Sequence, residues 1–148
     1  MKYVPAALVT AVAVQVLCQI FKTIFYSIRD RKFDLYYLTT TGGIPSAHSA
    51  FVTALTVSVG IRSGFVSDLF AVSAVFSIIV IYDAMRVRNA VEAQAKLLNR
   101  LVKNHFPEEK ADLREMIGHS VLEIVLGVVI GAVLSAVVTL WIFPDLLR

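Results

Sequence analysis

With a single cysteine, Cys18, among its 148 residues, the chain cannot form an internal disulfide. Cys18 sits inside an apolar run and reads as a small packing residue. The residue before it is Leu17, where a bacterial lipoprotein cleavage site carries a small side chain, so lipid attachment at Cys18 is not expected. The chain opens like a signal peptide, with Lys2 ahead of an apolar stretch, but no small-residue cleavage site comes after it. A retained helix is therefore expected. Internal repeats and low-complexity tracts are absent. There is also no basic stripe with interleaved aromatics outside the apolar segments, so the net charge of +3 does not point to a nucleic-acid partner. Basic loops facing an anionic membrane surface account for the excess.

Apolar sequence, by contrast, is abundant. The chain is 57% hydrophobic, with a mean hydropathy of +0.75, which places it among integral membrane proteins. The expected fold is all-α: one polytopic bundle spanning residues 1–148, with about four transmembrane helices and a surface amphipathic helix. The apolar segments run over residues 4–28, 44–61, 65–83 and 116–143. The second is rich in Ala, Ser, Thr and Val and is expected to face other helices rather than lipid. The fourth carries Gly127 and Gly131 in a GxxxG pattern, with Ser135 continuing the small face. That face suits close packing, either across a homodimer or inside the bundle. Trp141 suits an interfacial anchor.

Residues 84–115 form a polar insert. Val91, Ala95, Leu98, Leu101 and Val102 recur there at helical spacing, opposite Glu92, Lys96, Arg100 and Lys103. This pattern predicts an amphipathic helix on the membrane surface or over the bundle, ended by Asn104-His105-Phe106-Pro107. If four helices alternate, one membrane side holds Arg29, Arg31, Lys32, Arg86, Arg88, Lys96, Arg100, Lys103, Lys110 and Arg114. The other holds Lys2, Arg62 and Arg148. The positive-inside rule puts the richer side in the cytoplasm.

Most of the unusual polar groups fall on that same side. Gly42-Gly43-Ile44-Pro45-Ser46-Ala47-His48-Ser49 places a histidine and two hydroxyls where an apolar helix starts, beside free backbone amides. Pro45 suits a first helical position. Lys22 and Arg29 lie at the inner end of the first helix, Asp83, Arg86 and Arg88 at that of the third, and His119 and Glu123 at the start of the fourth. His119 and Glu123 are four apart and share a helix face, so the carboxylate can hold one imidazole tautomer. Each feature has a plainer reading. Ser46 and its neighbours can be a helix cap, Lys22 a snorkelling side chain, Arg86 and Arg88 a stop-transfer cluster, and His119 a cap after Gly118. Their joint placement favours a phosphate carried on a lipid, since arginines match phosphate oxygens bidentately.

These residues resemble the type-2 phosphatidic acid phosphatase superfamily, which also includes vanadium-dependent haloperoxidases. Lys22 and Arg29 have the spacing of its first motif, with Asp30 in place of proline. Pro45-Ser46-Ala47-His48 is similar to its Pro-Ser-Gly-His motif, and His119 with Glu123 resembles the end of the third, Glu standing for Asp. The third motif's arginine position is Leu113, one residue before Arg114. The segment Tyr82 to Arg88, with Gln94-Ala95 and Leu98-Asn99, resembles a divergent bacterial and plant branch. There Arg88 stands for the phosphate arginine and Arg86 replaces a more usual glycine. The match covers most of the chain from Lys22 to Gly131.

The resemblance implies a metal-independent lipid-phosphate phosphatase that needs no cofactor. His119 would be the nucleophile, oriented by Glu123, and His48 the acid that protonates the leaving group. Lys22, Arg29, Ser46 and Arg88 would hold phosphoryl oxygens, with Asp83, Arg86 and Ser49 nearby. The substrate would be an isoprenoid phosphate or diphosphate, phosphatidylglycerophosphate or phosphatidic acid. The expected location is a bacterial inner membrane, with the site toward the cytoplasm. The competing reading is a non-catalytic protein that binds or transports a lipid phosphate. A haloperoxidase is disfavoured because those relatives are soluble, although vanadate is expected to bind as a phosphate mimic.

Overall fold

The computed structural model describes residues 5–33, 43–106, 108–109, 113, 115 and 118–142. Among the described residues five α-helices occur in chain order: α1 (Ala6–Arg29), α2 (Ala47–Ser63), α3 (Asp68–Tyr82), α4 (Arg88–His105) and α5 (Val121–Val137). Two π-helical turns extend them, Asp83–Val87 between α3 and α4, and Val138–Ile142 after α5. No strand occurs among the described residues, and the chain is an all-α membrane bundle. Gly42, Pro107, Lys110, Arg114, and the outer limits expected near Val4, Met116 and Phe143 lie outside the described residues, as do Lys2 and Arg148.

Serine caps start three of the helices. Ser46 accepts from the Ser49 amide and Ser67 from the Phe70 amide. Ser120 and Glu123 form a reciprocal capping box at α5. Each cap satisfies amides that the helix itself leaves unpaired, worth about 0.5–2 kcal/mol. Helix α2 thus begins at Ala47, and Pro45 precedes the cap instead of taking the first helical position. The cause is Ser46, whose side chain accepts a bond that proline has no group to make.

Among the described residues three helices are long and apolar enough to cross a membrane: α1, the continuous rod Asp68–His105, and Val121–Trp141. Helix α2 has 17 residues and spans about 25 Å, short of a hydrocarbon core of about 30 Å. It occupies the middle of the bundle, packed by α1, α3 and α5. Its buried positions include Ala47, Ser49, Ala50, Val52, Ala54 and Ser58, whereas α3 buries only Ser73 and Ser77. The weakly hydrophobic segment therefore faces helices, as its composition implies.

Helices α2 and α5 run side by side in the same direction, in register. A Cβ on Gly127 would meet the Ser46 carbonyl oxygen at 2.5 Å, and one on Gly131 would meet the Ala50 carbonyl oxygen. Further along, Ser135 Oγ donates to the Ala54 carbonyl at 2.7 Å, and Thr139 Oγ1 to Ser58 Oγ at 3.1 Å. Each of these two hydrogen-bonded pairs is 81 residues apart in sequence. Small residues every fourth position on both helices bring the backbones together, as is common between helices in lipid. The glycine face is thus filled within the chain. Of the two placements that the small-residue pattern allows, the structure shows packing inside the bundle, with both glycines buried against α2.

On the other side of α2, Thr56 and Ser77 share a hydroxyl contact of 2.6 Å, and Ser77 also donates to the Val52 carbonyl at 2.9 Å. The amphipathic insert is a direct continuation of α3 through the π turn, ending at His105 with Phe106 as C-cap. The 38-residue rod is about 57 Å long, so its polar half extends beyond a hydrocarbon core. Ala84 is buried in the π turn and Ala95 in α4, while Val91, Leu98 and Leu101 remain exposed.

Gly131→Val tests the α2–α5 seam. Its side chain must displace the Ala50 backbone, and overpacking of this kind costs about 1–3 kcal/mol. Thermal unfolding in detergent should show that loss, while Val129→Ala on the exposed face should have little effect.

Candidate active site

The end of α1, the start of α2, the π turn and the start of α5 meet at one end of the bundle. Tyr26 of α1 accepts from the Ile44 amide at 3.2 Å and leaves no room for a side chain at Gly43, whose φ is +96°. The glycine conformation is therefore required there. The Ser46 amide donates to the Glu123 carbonyl at 3.0 Å, tying the cap of α2 to the first turn of α5. The Ser46 side chain accepts from Ser49 Oγ at 3.0 Å, and both serines are fully buried.

His119 lies just before α5 and is 1% exposed. Its Nδ1 faces Glu123 Oε2 at 3.0 Å, and the same oxygen accepts from the Ser120 amide at 3.1 Å. The carboxylate is thus held by the capping box and in turn orients the imidazole. A proton on Nδ1 directed at Glu123 leaves the lone pair on Nε2. That Nε2 is buried and has no hydrogen-bond partner among the described residues. Burial pushes the His119 imidazole below the ordinary histidine range, and the Glu123 hydrogen bond and charge oppose that shift. Burial prevails, so the neutral, nucleophile-competent form is favoured.

Two more orphaned atoms lie close by. Lys22 is fully buried on α1, and its Nζ has no hydrogen-bond partner among the described residues. His48 Nδ1, on the first turn of α2, is in the same condition. His48 lies within electrostatic reach of Arg88, His119 and Lys22, and Lys22 within reach of Glu123. A buried ammonium without a partner is costly and is retained where it serves a ligand.

The arginines separate. Across the π turn, Arg88 Nε donates to Asp83 Oδ2 at 2.8 Å, and the Arg88 amide bonds back to the Asp83 carbonyl. Asp83 thus selects Arg88, which is half-buried and within reach of both histidines. Arg86 is exposed and, unlike Arg88, is not among the charges acting on His48 or His119, so the structure does not bring it to the histidines. Arg29 borders the cavity, but its guanidinium stacks 4.4 Å from the Tyr26 ring centroid and Nε donates to Asp30 Oδ1 at 2.7 Å. Asp30, the residue in the motif's proline position, thus engages the arginine.

A cavity of about 440 Å³ opens above His119, with Tyr26, Arg29, Gly43, Asn89, Glu92 and Glu123 among its walls. Tyr26, Asn89 and Glu92 carry no motif signal. Asn89 Nδ2 donates to the His119 carbonyl at 3.1 Å, and Glu92 Oε2 accepts from the Gly118 amide at 3.0 Å. Further along α4, Asn99 pairs with both backbone groups of Leu113. Gly118 has no room for a Cβ beside Asn89. The signal available in sequence was asparagine inside a helix, where its propensity is poor and a tertiary partner compensates.

The profile of one family matches residues 4–134: the Divergent PAP2 family. The chain belongs to that family. The "Uncharacterized membrane protein YuiD" of Bacillus subtilis (strain 168) is 38% identical over 131 residues, covering 79% of this chain and 83% of the relative. No solved structure matches. Within this Divergent PAP2 protein, the family match spans every site residue named above, including Asn89 and Glu92.

Lys22→Met is diagnostic of a retained functional charge. Removing an unpartnered buried amine should leave the protein as stable or more stable, by about 1 kcal/mol or more, in a detergent melt. The same variant should lose retention of inorganic phosphate or vanadate in equilibrium binding. A large destabilisation with binding intact would identify Lys22 as structural.

Proposed function

We propose that this protein is a metal-independent membrane lipid-phosphate phosphatase that works through a phosphohistidine. The observation that supports it is the convergence of three buried polar atoms without partners, Lys22 Nζ, His48 Nδ1 and His119 Nε2, next to the Asp83–Arg88 pair. Unpaired buried groups of this kind are rare unless a ligand completes them. A phosphoryl group offers acceptors for Lys22 and Arg88 and an electrophile for His119.

In the proposed reaction His119 Nε2 attacks phosphorus while the bond to the leaving alcohol oxygen breaks. His48, protonated once the negative phosphate is bound beside it, gives its proton to that oxygen. Glu123 stabilises the positive charge that grows on His119 through Nδ1–H. Lys22 and Arg88 stabilise the charge on the equatorial oxygens, with Ser46 and Ser49 bracing the adjoining helix start. Water then attacks the phosphohistidine, His48 takes its proton, and phosphate leaves. Arg29 serves at the rim of the cavity. The substrate is a lipid phosphate or diphosphate of the bilayer, with isoprenoid phosphates, phosphatidylglycerophosphate and phosphatidic acid as candidates. The site faces the cytoplasm of a bacterial inner membrane, on the strength of the loop charges.

A second reading, lipid-phosphate binding or transport without turnover, draws on one observation: Arg29 is engaged by Asp30 and Tyr26. Phosphate release from a panel of lipid phosphates separates the two. Turnover should be abolished in His119→Ala and reduced about 10²- to 10⁴-fold in His48→Ala, with both variants still binding lipid. Binding without release by the wild type would support the second reading.

The pH profile carries a further expectation. Neutral His119 is the competent form, so kcat/KM should fall at acid pH only below the ordinary histidine range, given the downward shift. Glu123 favours the imidazolium, so Glu123→Gln should move that acid limb to still lower pH. It should also lower the rate about a hundredfold or more, because the imidazole loses its orienting partner. An acid limb that moves upward would overturn the assignment of Glu123.

A further inference from the structure

A second cavity, of about 320 Å³, lies between α1 and α5 and is lined by Leu17, Cys18, Phe21, Pro45, Ile130 and Leu134. Its walls are apolar. Helices α1 and α5 both pack firmly on α2 but touch each other little, which leaves the cleft between them. Leu17 and Phe21 are about half exposed on the outer side of α1, so the mouth opens toward the hydrocarbon of the bilayer. Cys18 belongs to the buried cluster with Ala11, Val14, Ala47 and Ala50, and the wall residues Ile130 and Leu134 pack against that cluster.

The cleft adjoins the phosphate site at two points. Pro45 lines the cleft, and the next residue, Ser46, caps α2 within the site. Cys18 lines it one helical turn before Lys22, and its sulfur is within electrostatic reach of that buried amine. An unpartnered cation at the inner end of an apolar cleft matches one kind of molecule, an amphiphile with a single anionic head joined to a hydrocarbon chain.

We propose that the α1–α5 cleft seats one hydrocarbon chain, acyl or isoprenyl, of the lipid phosphate, and that this seating delivers the phosphate to Lys22, His48 and His119 from the side of the bilayer. This rests on the phosphatase reading for its turnover consequences, but the chain site itself stands on the cleft and on Lys22. A chain gains little by leaving lipid for an apolar cleft. The cleft acts by positioning, holding the phosphorus in line with the nucleophile. Chain contacts then appear in turnover more than in partitioning.

Two experiments test this. In the first, Leu134→Trp and Ile130→Trp fill the cleft, and phosphate release is compared for long-chain diacyl and isoprenyl phosphates and for a short alkyl phosphate. The long-chain to short-chain ratio should fall at least tenfold in both variants, while Val133→Trp on the exposed face of α5 keeps the wild-type ratio. An unchanged ratio in both cleft variants overturns the proposal. A fall for isoprenyl but not diacyl substrates, or the reverse, upholds it and assigns the chain type.

The second experiment needs no turnover. Cys18 is the sole cysteine, so an apolar maleimide reports on the cleft directly in the wild-type protein. A hydrolysis-resistant long-chain alkylphosphonate should slow its alkylation at least fivefold, and methylphosphonate should not. Lack of protection overturns the cleft. If the buried Cys18 does not react without ligand, the same reagent is read on Leu17→Cys in a Cys18→Ala background, a half-exposed wall position, and lack of protection there overturns it. Protection without any phosphate release upholds the chain site while defeating the phosphatase reading.

Discussion

Everything at the functional end depends on how closely α2 and α5 approach. Gly127 and Gly131 let the α5 backbone lie against the Ser46 and Ala50 carbonyls, and Ser135 and Thr139 fasten the same seam further along. In lipid there is no hydrophobic gain from helix association, so close packing and interhelical hydrogen bonds hold the helices together. Because α2 and α5 run parallel, their N-termini share one end. The seam thereby sets the cap of α2 beside the capping box of α5. The Ser46–Glu123 backbone bond is the direct result, and it brings His48 and His119 into one site.

A second constraint holds His119 from outside the membrane. The helix that crosses as α3 does not stop at the polar boundary but continues through a π turn into α4. An extra residue in a helical turn rotates the side chains of the next turns, and such turns recur at functional sites. Here the turn pairs Asp83 with Arg88 and directs Asn89 and Glu92 onto the backbone around Gly118 and His119. The catalytic candidate thus sits on a loop, yet it is gripped by caps below and by a helix face above. Such a grip provides the preorganisation that a nucleophile requires.

The polar groups inside the bundle fall into two classes. Thr56, Ser58, Ser77, Ser135 and Thr139 satisfy one another or nearby carbonyls and serve helix packing. Lys22 Nζ, His48 Nδ1 and His119 Nε2 have no such partners among the described residues. A membrane protein tolerates the first class freely. Thr10 Oγ1, Ser27 Oγ and Arg62 Nη1 are likewise without a hydrogen-bond partner among the described residues. What distinguishes Lys22, His48 and His119 is that they lie within electrostatic reach of one another, where one ligand would complete all three.

Much of this was legible in the residues. Apolar run lengths determined a helical membrane bundle, the weak hydropathy of residues 44–61 determined an interior helix, and motif spacing singled out Lys22, Arg29, Ser46, His48, His119 and Glu123 as candidates, the family resemblance adding Arg88. Those are local properties, readable because periodicity, composition and caps act over a few residues. Tertiary structure decided the rest. It turned the GxxxG face inward against α2, joined the amphipathic insert to α3 as one rod, chose Arg88 over Arg86 for Asp83, and drew Arg29 to Asp30. It also recruited Tyr26, Asn89 and Glu92, which bear no motif. A small face or a polar side chain has no partner written beside it in the chain; which group it meets depends on the approach and rotation of helices far apart in sequence.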